Sequence, residues 1–153
     1  MEAFTPCQTE ERPWGSFSLI RPEDHARFIS LFFPGLFSTD QGISDPISCK
    51  FLHIKPGARL SWQYHRRRHE VWRVINGPVS AVISETNYRS DPDIRLQEDD
   101  ILFILAEQRH RLIGLDTPAV VAEVWIHTDP NNMSDEADIV RIEDDFARST
   151  LNN

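Results

Sequence analysis

The stretch from Pro56 to Gly77 constrains the fold more than any other part of this chain. Within it, Gln63 and His65 are separated by a single residue, and Glu70 follows after the basic run Arg66-Arg67-Arg68. Alternate residues of a β-strand point to the same face, so Gln63 and His65 share a side, and Glu70 can return to them from the next strand after a short turn. A second stretch, Asp99 to His110, supplies an apolar strand, a polar turn and then a histidine. That order brings a fourth side chain from elsewhere in a barrel. Amide oxygen, imidazole and carboxylate form a borderline-to-hard donor set that suits Zn²⁺ and also accommodates Fe²⁺, Mn²⁺, Co²⁺ or Ni²⁺. Gln63, His65, Glu70 and His110 are therefore the candidate metal ligands.

The rest of the chain is compatible with such a barrel. Short apolar runs are separated by turn residues, and apolar positions at helical spacing are scarce before the C-terminus. Strands are expected over Phe17 to Ile20, Phe28 to Phe33, Cys49 to Ile54, Leu60 to Tyr64 and Val71 to Ile75. Further strands are expected over Val79 to Ser84, Ile94 to Gln97, Ile101 to Leu105, Arg111 to Ile113 and Val120 to Ile126. Proline and glycine punctuate them at Pro34-Gly35, Pro56-Gly57, Gly77-Pro78 and Pro118, where a missing amide donor or a positive φ interrupts a ladder. Many short strands at regular spacing indicate a sandwich or barrel. The 153 residues fit one domain. Residues 1–16 are expected to be an N-terminal arm pinned to the barrel by a turn at Arg12-Pro13-Trp14-Gly15. Residues 129–153 are expected to be a polar loop and a C-terminal segment with a last strand, a helical turn and a frayed end at Ser149 to Asn153.

Composition narrows the partners. With 24 acidic and 16 basic side chains the net charge is −8, which opposes binding to nucleic acid or an anionic membrane. A small anionic substrate remains compatible, because a cluster such as Arg66-Arg67-Arg68 can override the global sign locally. Cys7 and Cys49 form neither a CxxC pair nor a disulfide framework, and no apolar stretch approaches the ~20 residues that span a bilayer. The N-terminal residues lack a basic region followed by an apolar core, so a cytoplasmic protein is expected.

The spacing of the central stretch resembles the first motif of the cupin superfamily, G-x5-H-x-H-x3-4-E-x6-G: Gly57, Gln63, His65, Glu70 and Gly77 fall at its positions, with Gln63 in place of the first histidine. The second motif, G-x5-P-x-G-x2-H-x3-N, is matched in spacing and in His110, while Asp99, Leu105, Glu107 and Gly114 replace its Gly, Pro, Gly and Asn. Within the cupins the chain is similar to type II mannose-6-phosphate isomerase domains, which also occur at the end of mannose-1-phosphate guanylyltransferases. The matching stretches are Arg12 to Phe17, Lys55 to Ser61, His110 to Leu112 and Asp138 to Arg148. The resemblance implies an all-β, single-domain cupin, a double-stranded β-helix or jelly-roll barrel spanning residues 1–153, with Gln63, His65, Glu70 and His110 around zinc.

It further implies a metal-dependent aldose–ketose isomerase acting on a phosphorylated sugar, mannose 6-phosphate to fructose 6-phosphate. Such chemistry moves a proton between C2 and C1 through a cis-enediol, so it needs a base near both carbons and stabilisation of charge on oxygen. Glu123 on the late strand is the candidate base, with His69 a weaker one. Arg111, adjoining His110, and then Arg59 are candidates for holding phosphate or an oxyanion. Trp62 alternates out of phase with Gln63 and is expected in the core, whereas Trp72, in phase with Glu70, is expected to line the lumen. The rival reading is a non-catalytic sugar- or small-anion-binding cupin derived from such an isomerase; a metal-dependent oxygenase ranks below both. A homodimer formed by strand exchange or edge pairing would hide open sheet edges.

Overall fold

The computed structural model describes residues 4–37, 46–89 and 92–148. Among these residues, eleven strands and one α-helix follow in the order β1 (Pro6–Arg12), β2 (Gly15–Ile20), α1 (His25–Phe32), β3 (Ile47–Ile54), β4 (Trp62–Tyr64), β5 (Arg68–Asn76), β6 (Val79–Ser84), β7 (Ile94–Leu96), β8 (Ile101–Ile104), β9 (Arg109–Gly114), β10 (Ala119–His127) and β11 (Val140–Glu143). They form a six-stranded sheet, β1-β2-β3-β10-β5-β8, and a five-stranded sheet, β11-β4-β9-β6-β7. Every pairing between strands is antiparallel.

Side-chain alternation sorts each strand into an inner and an outer row. Phe17, Leu52, Trp72, Val74, Val79, Leu112 and Val121 point inward and pack into the core. The outer row of the larger sheet is also apolar, with Cys49, Val71, Ala122 and Val124 buried beneath α1. Cys49 is a free, buried thiol whose pKa burial pushes up to about 12, so it is chemically quiet.

Two sequence expectations are corrected here. The run Phe28 to Phe33 belongs largely to α1 and is not a strand. Phe28, Ile29, Phe32 and Phe33 are all buried and recur with helical spacing, which a short apolar run conceals. The rings of Phe28 and Phe32 pack on Phe51 of β3, with centroids 5.2 and 5.4 Å away. The N-terminal arm is also no separate arm, because β1 pairs with β2 from Pro6↔Ile20 to Arg12↔Gly15 and so extends the large sheet. The turn between them sets Trp14 into the core at 6% exposure. Gly15 has φ +153, and a Cβ there would sit 1.8 Å from the carbonyl oxygen of His53, so only glycine allows β2 to approach β3 this closely. The expected final strand is β11, followed by a turn; the expected frayed end, Ser149 to Asn153, lies outside the described residues.

Candidate metal centre

Several inner rows switch from apolar to polar at one end of the barrel. On β3 the inward row runs Ile54, Leu52, Lys50; on β10 it runs Ala119, Val121, Glu123; on β5 it runs Val74, Trp72, Glu70, Arg68. The register places Lys50 opposite Glu123, and Glu123 opposite Trp72. From the smaller sheet, Gln63 of β4 lies opposite His110 of β9 and also opposite Arg141 of β11. Paired residues share a face, so these side chains form a polar layer on top of the core.

His65, Glu70 and His110 are buried, and each offers a ligand atom within 4.8 Å of the others. Glu70 Oε1 is 3.1 Å from His65 Nε2, and its Oε2 is 3.5 Å from His110 Nε2. The two imidazoles are turned alike. His65 Nδ1 lies 2.7 Å from the carbonyl oxygen of Asp138, and His110 Nδ1 lies 2.9 Å from that of Gln108. A carbonyl only accepts, so each ring donates through Nδ1 and turns its Nε2 into the cluster, the orientation that metal-bound imidazoles use. His110 Nε2 is buried and has no hydrogen-bond partner among the described residues, an expensive state that a cation relieves. Gln63 adds the fourth donor: its Nε2 is 3.3 Å from His65 Nε2 and its Oε1 accepts from the Ser61 hydroxyl. Exchanging the two ends of the amide keeps the Ser61 bond, since a hydroxyl also accepts, and turns the carbonyl oxygen toward the cluster. The donor set therefore fits a divalent metal.

The electrostatics agree. Burial opposes ionisation of Glu70, but His65 and Arg68 beside it outweigh burial and hold its pKa well below the ordinary carboxylate range. Burial pushes His110 down to about 4, against the opposing pull of Glu70, so its ring is neutral at physiological pH. Both groups are thus in their ligating protonation states at pH 7. Arg68 is a further occupant of this neighbourhood: its Nε donates to Glu70 Oε1 at 2.9 Å, and its Nη2 is 3.1 Å from His65 Nε2. A metal would take His65 Nε2 from Arg68 and leave the guanidinium its bonds to Glu70 and to the Ser134 hydroxyl.

The loop between β10 and β11 holds the centre from outside. The Asp138 carboxylate accepts from the backbone amides of Arg66 and Arg67 at 3.0 Å each and from the Ser134 hydroxyl at 2.6 Å. One residue thereby fixes the 65–68 turn with its side chain and the His65 tautomer with its carbonyl. The turn before His110 is equally well formed. Asp99 and Glu107, which stand where the second cupin motif has glycine, have φ of 72° and 69°, and the Glu107 amide donates to the His65 carbonyl at 2.7 Å. The substituted residues keep the left-handed backbone for which glycine is the usual choice.

The remaining candidates divide. Glu123 lines the cavity, with one carboxylate oxygen 2.7 Å from the indole nitrogen of Trp72 and the other 2.7 Å from that of Trp125. Burial first, and then the charge of Glu70, raises its pKa to about 8. Trp72 lines the same cavity, as expected. Trp62 is buried on the other side of β4 and donates to the Asn87 carbonyl. His69 faces away from the cluster and accepts from the Ala106 amide.

Arg111 is corrected. It neighbours His110 in sequence, so alternation turns it out of the barrel, where it bonds to the carbonyls of Leu60 and Glu143. Arg59 is likewise outside, paired with Asp145. The arginine run also splits: Arg66 is exposed, Arg67 half-buried, and Arg68 buried at the site. The sequence reading passed over Lys50, Arg12, Arg141 and Arg148, all of which line the cavity.

Comparison with known proteins gives a consistent picture. The sequence family described as mannose-6-phosphate isomerase C-terminal matches residues 38–144. The alginate biosynthesis protein AlgA of Pseudomonas aeruginosa is 28% identical over 138 residues, covering 90% of this chain and 22% of that protein. The xanthan biosynthesis protein XanB of Xanthomonas campestris is 28% identical over 138 residues, covering 90% and 23%. A mannose-1-phosphate guanylyltransferase of Salmonella muenchen is 26% identical over 132 residues, covering 86% and 22%. The chain thus spans about a fifth of the length of these relatives. Among solved structures, the capsular polysaccharide assembling protein CapF from Staphylococcus aureus superposes with a TM-score of 0.60 at 16% identity, over 90% of this chain and 34% of that one. The plu4264 protein of Photorhabdus luminescens gives 0.55 at 15% identity, over 86% and 88%.

Proposed function

This chain belongs to the mannose-6-phosphate isomerase C-terminal family, a cupin domain, and from that premise we propose that it is a metal-dependent sugar-phosphate isomerase interconverting mannose 6-phosphate and fructose 6-phosphate. The observation that carries this reading is the buried carboxyl of Glu123 in the cavity that His65 and Glu70 also line, with His110 completing their cluster. A binding site needs no such group, whereas an enediol mechanism needs a base that can take and return a proton near neutral pH, a role this carboxyl can fill. When bound to Gln63, His65, Glu70 and His110, a divalent cation, zinc for this donor set, supplies Lewis-acid polarisation of a sugar oxygen.

The chain's own residues supply the rest. The indoles of Trp72 and Trp125 fix the Glu123 carboxyl in one orientation, so the oxygen that takes a proton from C2 can return it at C1 without losing its place. Arg141 points inward beside Gln63, and its Nε is buried with no hydrogen-bond partner among the described residues. Burial, and then the charges of Arg148 and Arg12, lower its pKa. An arginine stays charged regardless; Arg148 is paired with Asp144 and Arg12 with Glu10, so Arg141 is the guanidinium of this wall for which a phosphate oxygen is the fitting partner.

A second reading rests on Arg68. Its guanidinium already bonds Glu70 Oε1 and faces His65 Nε2, so an internal cation could complete the cluster and leave a metal-free sugar- or anion-binding protein. A coupled assay separates the two. Turnover of mannose 6-phosphate is expected, with D-mannose turned over far less well, and Arg141→Met is expected to raise KM for the phosphate ester roughly 10- to 100-fold by removing a charged hydrogen-bond pair. Saturable fructose 6-phosphate binding with no turnover would favour the second reading.

A further inference from the structure

Lys50 sits where the β3 inner row should continue apolar after Ile54 and Leu52, yet it carries an ammonium group only 3% exposed. Its Nζ lies 3.8 Å from the ring centroid of Trp125 and 4.3 Å from that of Phe17, so its immediate walls are two aromatic faces. One carboxylate, Glu136, bonds it at 2.7 Å; this residue comes from the loop between β10 and β11 and is itself half exposed. Glu123 Oε1 lies 4.0 Å away on the inner side. Burying an ammonium among core residues is costly unless its donors are used, and a single bond to a half-exposed carboxylate leaves donors facing the cavity.

Resting on the isomerase reading above, we propose that Lys50 is a catalytic residue that contacts the reacting oxygens of the sugar. Glu123 and Lys50 then form a neighbouring base and acid on paired positions of β10 and β3. Glu123 takes the proton from C2 of the open-chain aldose. The C2–H electron pair becomes the C1–C2 double bond, the carbonyl π pair moves onto O1, and Lys50 gives O1 a proton. The neutral Lys50 amine next takes the proton of the O2 hydroxyl, and the O2 electron pair forms the C2 carbonyl. The double-bond pair then takes the Glu123 proton at C1. The ketose results, both residues return to their starting states, and no oxidant or reductant is consumed.

The test uses the full chain as Lys50→Met and Lys50→Arg, loaded with zinc. Metal content, thermal melting, affinity for fructose 6-phosphate, and exchange of the mannose 6-phosphate C2 hydrogen in D₂O are measured on each. Methionine suits the apolar row, so Lys50→Met is expected to fold, to hold the same metal as the parent and to lose kcat on the order of 100-fold while KM changes little. Lys50→Arg keeps the positive charge but cannot release and retake a proton, so it is expected to recover little of the loss. Equal kcat per bound metal in Lys50→Met would overturn the proposal, whatever the melting temperature does. Should the parent protein itself show no turnover or exchange, the isomerase reading fails and the catalytic role of Lys50 fails with it. A tenfold loss of fructose 6-phosphate affinity in Lys50→Met would then report a sugar contact only.

Discussion

His65 and His110 meet at Glu70 with their rings turned alike by unrelated backbone carbonyls, one on the β10–β11 loop and one two residues upstream of His110. That coincidence is hard to account for as packing, because a buried Nε2 left without a partner is a penalty with no return unless something else binds there. Glu123 reads the charge state of the same cluster. Its pKa of about 8 reflects burial first and the negative Glu70 second. A cation that cancels the Glu70 charge removes the second contribution, so Glu123 ionises more readily in the loaded protein. Metal binding at pH 7 is therefore expected to release up to one proton, measurable by titration calorimetry in buffers of different ionisation heat, and Glu123→Gln should abolish most of it. Equal release from both proteins would mean that Glu123 does not sense the site. At this scale the convergence of His65, Glu70 and His110 beside Gln63 was legible because strand alternation fixes which neighbours share a face. Lys50, Arg68 and Arg141 were not, because basic residues are usually solvated. Their signal was a charge at an inward position of a strand, as with Lys50 after Ile54 and Leu52, and it becomes visible only once the inner row is known.

Helix α1 and the turn before His110 show how elements position the site from either side. The helix covers the outer face of β3, β10 and β5, and Phe28, fully buried, packs on Phe32 and Phe51 with centroids 5.0 and 5.2 Å away. Phe28→Ala is expected to cost about 3–5 kcal/mol in denaturant unfolding and to leave metal stoichiometry unchanged, since the helix touches the outer row only. The turn carries a different load. Glu107 holds a left-handed φ of 69° without being glycine, while its amide ties the turn to His65. Glu107→Gly should relieve that strain and raise stability by about 1 kcal/mol, less the entropy that glycine loses on folding. A fall in stability would show that the Glu107 side chain, not its backbone, sustains the turn. Sequence patterning recovered most of the strands because alternation and turn residues coincide there. It missed α1, since an apolar run only six residues long, Phe28 to Phe33, reads the same buried on one face of a helix or on both faces of a strand. It missed β1 because Pro6 to Arg12 is polar and finds its register only through β2.

The whole molecule is a barrel with one apolar end and one polar end, and although its net charge is −8, five basic side chains, Arg12, Lys50, Arg68, Arg141 and Arg148, line its cavity against three acidic ones, Glu70, Glu123 and Glu136. The local sign therefore opposes the global one where a phosphorylated sugar would enter. Among the described residues no helix is long and apolar enough to cross a membrane. The relatives that carry the same domain are about four times longer and take part in building alginate and xanthan, according to their names, so the activity of this domain has to be tested on this chain itself. The most direct test follows mannose 6-phosphate in D₂O by proton NMR, with protein stripped by chelator and with protein reloaded to one zinc per chain. Fructose 6-phosphate is expected to appear only with the reloaded protein, and Glu70→Gln and His110→Ala should lose both the metal and the reaction. A reloaded protein that holds its zinc and leaves mannose 6-phosphate unchanged, or a stripped protein that converts it equally fast, would contradict a metal-dependent isomerase.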